Sequence, residues 1–582
     1  MPVNLQPLSA AEVTQWFDSP GEVASNTFEI ALVLGGTVSA GAYTAGALDF
    51  LIEALDAWTD TRDGPNGKAV PRHKVVIRII AGTSGGGVNA AIAARALAYD
   101  FPHVSRATEV SVAAGNPFYD TWINRLTLDG MLKTDDLNAS GATAVSLLNG
   151  TVIDAAASNL VAFTAQTQKP RSYLANPLRL ILTLTNLNGI AYRIDFGSIG
   201  LPDGSAGNLG ESYVDHADYA RFALVYPGQS LEIPRPDEFV LGFGDARFPQ
   251  ATDWSTFGQF AMATAAFPIG FPPRRLTRPL EHYRYRVVSV PGDDNPGTTM
   301  WLPLVPDWAA IQDWAGGGLP DDYQFLTVDG GATDNEPIEL ARTVLAGITG
   351  RNPRDGMRAN RGVVLIDPFA GSAQMAPPLT IALPDLAESL VTGMIQQTRY
   401  DTRDILLAAY PDVYSRFMLT ALRENNLGDP ALATAGMGAF LGFACDAFRR
   451  HDYLLGRKNC QDFLRTQFVL PEHSPVFDGC LDGVPLDDFR FTDDSGSYLP
   501  IIPLVGQARV AETTDPWPKN ALDPTKFRGA IEQRFAKLLE TEFASGPLAN
   551  VLVWLGAKIG EGKIADTVIS AMQTALTQWG LA

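Results

Sequence analysis

Short runs of Val, Ile and Leu alternate with helical segments in the first two thirds of the chain. The runs lie at 29–34, 74–81, 178–185, 325–328 and 363–367. Near-continuous apolar runs of this length are typical of strands that are buried on both faces of a mainly parallel sheet. Segments rich in small residues follow the first two runs, at 42–55 and 88–97. The pattern therefore predicts an α/β fold in which helices flank a mainly parallel central sheet.

The pattern changes twice outside these strands. Residues 190–250 are rich in Gly, Asp and Pro and have no clear period, which indicates a long insertion or a lid. After about residue 372, apolar residues recur at helical spacing, most clearly at 386–410, 436–468 and 526–544. We expect three parts, namely a helical arm at 1–27, an α/β domain at 28–371 and a mostly helical C-terminal region at 372–582.

Composition and charge exclude some classes of partner. The chain has 46% hydrophobic and 19% charged residues, which is typical of a globular protein. Its formal net charge of −20 argues against a nucleic-acid partner, because phosphate binding depends on clustered Lys and Arg. The same charge disfavours broad adsorption to anionic membranes. Only three cysteines and no leader-like amino-terminal pattern favour a cytoplasmic location.

No apolar run approaches the ~20 residues that are needed to span a bilayer. The apolar segment 547–556 is better interpreted as a core helix, but with Trp554 and Trp579 nearby it leaves transient contact with a membrane surface open. Arg274, Arg275 and Arg278 are interpreted as surface ion-pair residues in preference to ligands of a lipid phosphate.

A lone serine lies between glycines where the second strand is followed by a helix. The sequence there is GTSGG at 82–86, with Ser84 at its centre. In the G-x-S-x-G arrangement, a sharp strand-to-helix turn forces the serine outward and presents its hydroxyl as a nucleophile. Gly82 and Gly86 are therefore the expected glycines of a nucleophile elbow.

A second glycine-rich turn follows the first strand, at LVLGGTVSAGAYTAG (32–46). Gly35 and Gly36 allow backbone N–H groups to turn toward a bound carbonyl oxygen. This turn and Ser84 are expected at the carboxyl ends of neighbouring strands, where open α/β sheets place their ligands. A phosphate-binding P-loop is excluded, because Ala42 and Tyr43 follow Gly41 where that motif needs Lys and Ser or Thr.

A serine nucleophile also needs a proton acceptor. None of the six histidines lies in a stretch that resembles a catalytic loop; they are His73, His103, His216, His282, His451 and His473. Asp329 is a better candidate, because FLTVDGGATDNEPIELA (325–341) is a strand that ends in Asp and continues through two glycines into a helix. His451 and Asp452 are interpreted as a buried hydrogen-bonding pair, since no other metal ligands occur at suitable spacing.

These motifs, in this order and spacing, resemble the patatin-like phospholipase family. The glycine-rich loop, GTSGG, the segment AMATAAFPIGFPP (261–273) and DGGATDNEPI together extend the resemblance over roughly 29–370. The resemblance implies a lipid acyl hydrolase with a Ser-Asp dyad and no metal or organic cofactor. It makes Ser84 the nucleophile and Asp329 the general base, and it places the oxyanion hole in the glycine loop, at the backbone of Gly36, Thr37 and Val38 beside Gly35.

One departure from the family pattern keeps alternatives open. The family loop usually carries more glycine and a basic residue, whereas Thr37 and Val38 carry side chains here and the basic residue is missing. Three alternatives remain, which are a Ser-His-Asp hydrolase that uses His451 or His473, an acyltransferase on the same dyad, and a catalytically silent binding protein. The sequence does not distinguish headgroup, acyl length or oligomeric state.

Overall fold

A computed structural model of the protein describes most of the chain. The described residues are 9–18, 21–138, 142–163, 167–200, 206–226, 232–244, 247–248, 251–291, 299–348, 350–369, 398–399, 402–541 and 561–582. The apolar segment 547–556 lies outside the described residues, and the expected helix at 386–410 lies partly outside them.

Parallel strands form the centre of a large sheet. The strands, in chain order, are β1 (Thr27–Leu34), β2 (Lys74–Gly82), β3 (Leu174–Gly200), β4 (Ala206–Val225), β5 (Glu238–Gly242), β6 (Arg274–Pro279), β7 (Arg286–Pro291), β8 (Thr299–Leu304), β9 (Asp322–Asp329), β10 (Arg361–Ile366), β11 (Arg416–Leu419), β12 (Leu422–Arg423), β13 (Asn426–Leu427), β14 (Val469–Pro471), β15 (Phe491–Asp493) and β16 (Gly496–Pro500). The sheet order is β11-β10-β1-β2-β3-β4-β5, with β9 beside β3 and β6 beside β9. The strands from β11 to β3 pair in parallel, whereas β3 pairs antiparallel with β4 and β9.

Helices flank this sheet on both faces. The α-helices, in chain order, are α1 (Ala10–Trp16), α2 (Gly41–Asp63), α3 (Ser84–Ala96), α4 (Val110–Ala113), α5 (Pro117–Tyr119), α6 (Leu128–Met131), α7 (Thr151–Ala162), α8 (Trp254–Thr264), α9 (Trp308–Trp314), α10 (Ile338–Ala346), α11 (Thr402–Ala409), α12 (Asp446–Thr466), α13 (Arg528–Glu540) and α14 (Glu561–Gln578). A π-helix at Asp120–Arg125 continues from α5. The expected α/β fold with a mainly parallel central sheet is confirmed.

Alternate residues of β1 face two hydrophobic cores. Leu32 and Leu34 belong to the larger core, which includes residues of α2, α3 and α8. Ala31 and Val33 belong to a smaller core on the other face, which includes residues of α10. Because the strand is buried on both faces, it reads as a continuous apolar run and has no alternating pattern.

The C-terminal region packs directly on the sheet domain. Strand β11 pairs with β10 at one edge of the central sheet. Helix α12 crosses α2 so closely that a Cβ on Gly46 would lie 1.9 Å from the carbonyl oxygen of Tyr453. At the same crossing, the buried guanidinium of Arg457 donates to Asp49 of α2. The region therefore supplies both a strand and a helix to the central layers, while the proposed boundary at 371 stays a prediction.

The stretch at 190–250 contains regular structure. The second half of β3 and the strand β4 form a long antiparallel hairpin within it, and β5 pairs in parallel with β4. Gly, Asp and Pro obscured this pattern in the sequence. The assignment of the stretch as an insertion or lid stays a prediction, as does the extent of the arm at 1–27, where the structure places α1.

Candidate active site

Ser84 occupies a sharp turn between β2 and α3. Strand β2 ends at Gly82, and Ser84 is the first residue of α3, with a φ of 54°. This left-handed conformation costs a non-glycine residue about 1–2 kcal/mol, and such strain is concentrated at functional positions. The turn is also tight, because a Cβ on Gly86 would lie 2.2 Å from the carbonyl oxygen of Leu34. This strand-turn-helix geometry presents the serine hydroxyl outward, as a nucleophile elbow requires, and the assignment stays a prediction.

The structure brings Ser84 and Asp329 into direct contact. The Ser84 hydroxyl donates to Oδ2 of Asp329 at 2.6 Å. Asp329 ends β9, whose pairing with β3 carries it to the carboxyl end of the parallel strands. Its other oxygen, Oδ1, accepts the N–H of Gly331 at 2.8 Å. Both carboxylate oxygens are thus held in place, one by the serine and one by the backbone.

The environment of Asp329 makes its carboxylate more basic than usual. The residue is 4% exposed. Its carboxylate accepts hydrogen bonds from Ser84 and from the Gly331 N–H, and both of these donors are neutral. Burial disfavours the charged form and raises the pKa of Asp329 from 3.8 to about 7, although the two hydrogen bonds oppose the shift. A carboxyl group with a pKa near 7 suits general acid and base chemistry at neutral pH.

Residues of the glycine loop line a cavity together with Ser84. The Gly35 N–H donates to Ile366 O at 3.2 Å, and Gly36 N–H donates to Asn335 O at the longer distance of 3.3 Å. Within the described part of the chain, the amides of Thr37, Val38 and Gly85 make no backbone hydrogen bond. Amide groups beside a nucleophile that lack a partner of their own are suited to receive an oxyanion.

Gly35 and Val38 differ from the other loop residues in their placement. Gly35 lines neither of the cavities that contain Ser84, whereas Gly36 and Thr37 line one of them and Val38 lines both. Val38 has a φ of 48°, which is rare for a β-branched residue because its Cβ then crowds the backbone. The backbone conformation at position 38 therefore favours glycine, which is usual in the family that the sequence resembles, but this chain has valine there.

Two cavities meet at Ser84. The first, which we call the inner pocket, is narrow, has a volume of about 70 Å³ and is lined almost entirely by apolar residues that include Val88, Trp122, Leu160 and Phe271. The second, which we call the polar cavity, has a volume of about 290 Å³ and also contains Asp329. Asp329 does not line the inner pocket, so the serine hydroxyl separates an apolar compartment from one that holds the carboxylate.

The wall of the inner pocket is fixed by buried hydrogen bonds. The indole N–H of Trp122 donates to Asn89 Oδ1 at 2.8 Å, and the Asn89 amide donates to the carbonyl oxygens of Gly41 and Gly85. Arg449 of α12 is 1% exposed and donates to the carbonyl oxygens of Trp122 and Ile123 at the π-helix. The C-terminal region therefore helps to position the pocket beside the nucleophile.

The polar cavity contains a basic residue that sequence reasoning missed. Arg399 lines it, donates to Asp367 Oδ2 at 3.0 Å and lies 3.6 Å from Oε1 of Glu336. Glu336 is almost fully buried, and burial together with the nearby Asp367 charge raises its pKa well above the usual value. The glycine loop lacks its own basic residue. Arg399 brings positive charge to this cavity from a segment that lies far from the glycine loop along the chain.

Histidines take no part in the contacts of Ser84. No histidine is among the described residues that line either cavity. A hydrogen bond of 2.8 Å joins Nδ1 of His451 and Oδ1 of Asp452. Asp452 also accepts hydrogen bonds from the backbone N–H groups of Ala433 and Thr434. The pair is therefore a buried link between α12 and the preceding loop. Within the described ranges, no group of three or more His, Cys, Asp or Glu side chains is arranged to hold a metal ion.

One of the three arginines after the proline stretch, Arg278, is buried. Arg278 is 1% exposed and donates to Asp218 at 3.1 Å, so its assignment to a surface ion pair is wrong. The sequence does not reveal this burial because Asp218 and Arg278 come from β4 and β6, which are separated along the chain.

Among the described helices, none is long and apolar enough to cross a membrane.

Comparison with known proteins agrees with this geometry. A family model described as patatin-like phospholipase matches residues 32–342, a little over half of the chain. The "Uncharacterized protein y4iI" of Sinorhizobium fredii (strain NBRC 101917 / NGR234) is 30% identical over 598 aligned residues, which cover 93% of this chain and 80% of that protein. The resemblance drawn from the sequence motifs is thereby confirmed. The chain belongs to the patatin-like phospholipase family, whose members act as hydrolases on lipid esters.

Proposed function

We propose that the protein is a serine-dependent acyl-ester hydrolase in which Ser84 is the nucleophile and Asp329 is the general base. The observation that carries the proposal is the 2.6 Å hydrogen bond from the strained Ser84 to the buried Asp329 carboxylate. A serine hydroxyl is a weak nucleophile until an adjacent base removes its proton. Family membership supports a lipid ester as the substrate.

In the proposed reaction, Asp329 takes the hydroxyl proton while Ser84 Oγ attacks the ester carbonyl carbon. Negative charge develops on the carbonyl oxygen, and the amides of Thr37, Val38 and Gly85 stabilise it. The expected donor Gly36 would first have to release its hydrogen bond to Asn335 O. Collapse of the tetrahedral intermediate breaks the bond between the carbonyl carbon and the alcohol oxygen, and Asp329 returns its proton to that oxygen. A water molecule then releases the fatty acid from Ser84 by the same steps in reverse.

The acyl chain is assigned to the inner pocket. Its wall is apolar and adjoins Ser84 without including the charged Asp329, so a hydrocarbon chain loses water there without facing a charge. A chain must enter this narrow pocket in an extended form. The free amides and the elevated pKa of Asp329 compensate for the absence of a basic residue in the loop, because preorganised donors and a matched base each supply about 10²-fold or more.

The decisive experiment compares wild type with Ser84→Ala and Asp329→Asn on p-nitrophenyl butyrate and on a panel of phospholipids and acylglycerols. Both variants are expected to lose at least about 10³-fold in kcat/KM. Ser495→Ala and Asp313→Asn, both at exposed positions that line neither cavity, provide matched controls that change the same atoms away from the site. A fluorophosphonate probe is expected to label wild type and not Ser84→Ala. Unlabelled wild type that hydrolyses no ester would favour the silent binding protein instead.

The acyltransferase alternative uses the same dyad and differs in the second step. It predicts that an added alcohol captures the acyl-serine faster than water does. Product analysis with and without glycerol separates the two outcomes. Hydrolysis that persists after replacement of His451 and His473 would remove the histidine-dependent alternative.

A further inference from the structure

One segment of the C-terminal region contacts the glycine loop directly. The backbone N–H of Ser39 donates to the carbonyl oxygen of Ala439 at 3.3 Å, and the Ser39 hydroxyl donates to the same oxygen. Both residues are buried, so water does not compete for these bonds. We call residues 433–442 the bracing loop. It lies outside the range 32–342 that matches the family model, yet it lines the polar cavity together with the glycine loop.

Helix α12 fixes both ends of the bracing loop. At its start, the buried carboxylate of Asp452 accepts the N–H groups of Ala433 and Thr434, each at 2.9 Å, and the Thr434 hydroxyl at 2.6 Å. At its end, the buried guanidinium of Arg449 donates to the carbonyl oxygen of Gly442 at 2.6 Å. Hydrogen bonds to charged groups are stronger than those between neutral groups. The two ends are therefore held firmly to one helix.

The backbone between these ends is strained. Met437, Gly438 and Ala439 follow one another with φ values of 55°, 59° and 66°. This left-handed conformation is unfavourable for methionine and alanine, because their Cβ atoms crowd the backbone. Such strain persists only where the surrounding structure determines the conformation, and it is concentrated at functional positions. The carbonyl oxygen that Ser39 contacts is thus presented by a loop whose shape is imposed by its attachment to α12.

Ser39 follows Val38, whose φ of 48° sets the direction of an oxyanion donor. Rotation about the N–Cα bond of Val38 turns the peptide group that carries its N–H relative to α2. A contact immediately after Val38 can therefore keep this strained residue from relaxing and turning the N–H away from Ser84. The hydrogen bonds from Ser39 to Ala439 provide such a contact.

We propose that Ser39 is a positioning residue, through which the bracing loop holds the amides of Thr37 and Val38 where the oxyanion forms. The inference rests on the proposed hydrolase function and adds the C-terminal region to the catalytic unit. The α/β domain supplies the amide donors, and the bracing loop fixes their direction. Donors that are fixed before the reaction stabilise a transition state without a cost of reorganisation.

The test measures kcat and KM of Ser39→Ala on p-nitrophenyl butyrate. The variant loses the hydroxyl bond to Ala439 and keeps every backbone amide of the glycine loop. Because the full oxyanion charge develops only in the transition state, kcat is expected to fall about tenfold while KM changes less than about twofold. The matched control Ser474→Ala removes a buried serine hydroxyl from a residue that lines neither cavity, and is expected to leave both constants unchanged.

A second variant reaches the same hydrogen bond from the C-terminal region. A Cβ on Gly442 would lie 2.2 Å from the Ser39 hydroxyl oxygen, so Gly442→Ala displaces this hydroxyl and leaves the glycine loop unchanged in sequence. It is expected to lower kcat with little change in KM. The double variant is expected to lose less activity than the product of the two single losses, because both substitutions break one interaction.

Circular dichroism and urea unfolding separate positioning from folding, since Ser39→Ala removes one hydrogen bond and is expected to stay folded. An unchanged kcat in folded Ser39→Ala would overturn the inference. A loss in the double variant that equals the product of the single losses would overturn it as well, because Ser39 and the bracing loop would then act independently. Failure of the proposed function is a different result, in which wild type hydrolyses no ester.

Discussion

Acidification below pH 7 is expected to remove activity by protonating Asp329 while the protein remains folded. The pKa of this carboxyl is raised from 3.8 to about 7, so the ionised fraction is about nine tenths at pH 8, about one tenth at pH 6 and about one hundredth at pH 5. Because the proposed base acts only when it is ionised, kcat/KM is expected to fall about tenfold between pH 8 and pH 6 and about tenfold again to pH 5.

The assay is the hydrolysis of p-nitrophenyl butyrate, a neutral ester, with samples quenched and read at one fixed pH so that the ionisation of nitrophenol does not contribute. Circular dichroism at each pH verifies that the protein stays folded. An aspartate with its usual pKa of 3.8 would give a nearly constant kcat/KM from pH 8 to pH 5. A flat profile of that kind would refute the argument that burial tunes Asp329 for general base chemistry.

Three further results follow from the same geometry. Because the pKa of Asp329 is higher in the folded than in the unfolded protein, the wild type loses stability as the pH rises toward 7. In urea unfolding, the free energy of unfolding of Asp329→Asn relative to wild type is therefore expected to rise by about 2–3 kcal/mol between pH 5 and pH 8. Equal pH dependence in both proteins would contradict this. Val38→Gly is expected to have a free energy of unfolding in urea about 1 kcal/mol higher than that of Val38→Ala, because only glycine relieves the positive φ. The reverse order would show that no strain is present. Gly86→Ala is expected to lose at least about 10²-fold in kcat/KM because its Cβ meets backbone atoms, whereas Gly529→Ala, with open space around it, is the neutral control.

The elements that sequence patterns predicted are those buried on both faces. Strands β1 and β10 contain the uninterrupted apolar runs Ile30–Leu34 and Val363–Ile366 because neither face meets water there, whereas Arg78 interrupts the run of β2. The sequence motifs indicated Ser84 and Asp329, but the rule for parallel strands does not explain their contact. Strand β9 runs antiparallel to β3 and places Asp329 opposite Leu184, close to the Leu182 that pairs with Gly82. The sequence could not supply the distance or the rise in pKa of Asp329, because these depend on how the neighbouring strands exclude water.

Contacts between distant segments escaped the sequence analysis. Arg399 lies in a stretch that was interpreted only as helical, and nothing in its local pattern indicates that it lines the polar cavity. The hairpin of β3 and β4 was obscured by Gly and Asp, which are tolerated there because beyond Asn186 the hairpin extends past the strands β2 and β9 that pair with β3. An apolar cleft beside Phe267 is likewise lined by residues from α6, α13 and α14, which no local motif connects.

Energetic costs at the site argue against a purely structural role. The positive φ of Ser84 costs about 1–2 kcal/mol, and the buried Asp329 carboxylate costs a few kcal/mol more at neutral pH, as its raised pKa indicates. Glycine at position 84 and asparagine at position 329 would avoid both costs while keeping the turn and the sheet. A binding scaffold gains nothing from retaining a strained hydroxyl against an expensive carboxylate, whereas a serine hydrolase needs both features, because the strain exposes the nucleophile and the burial makes its base effective at neutral pH.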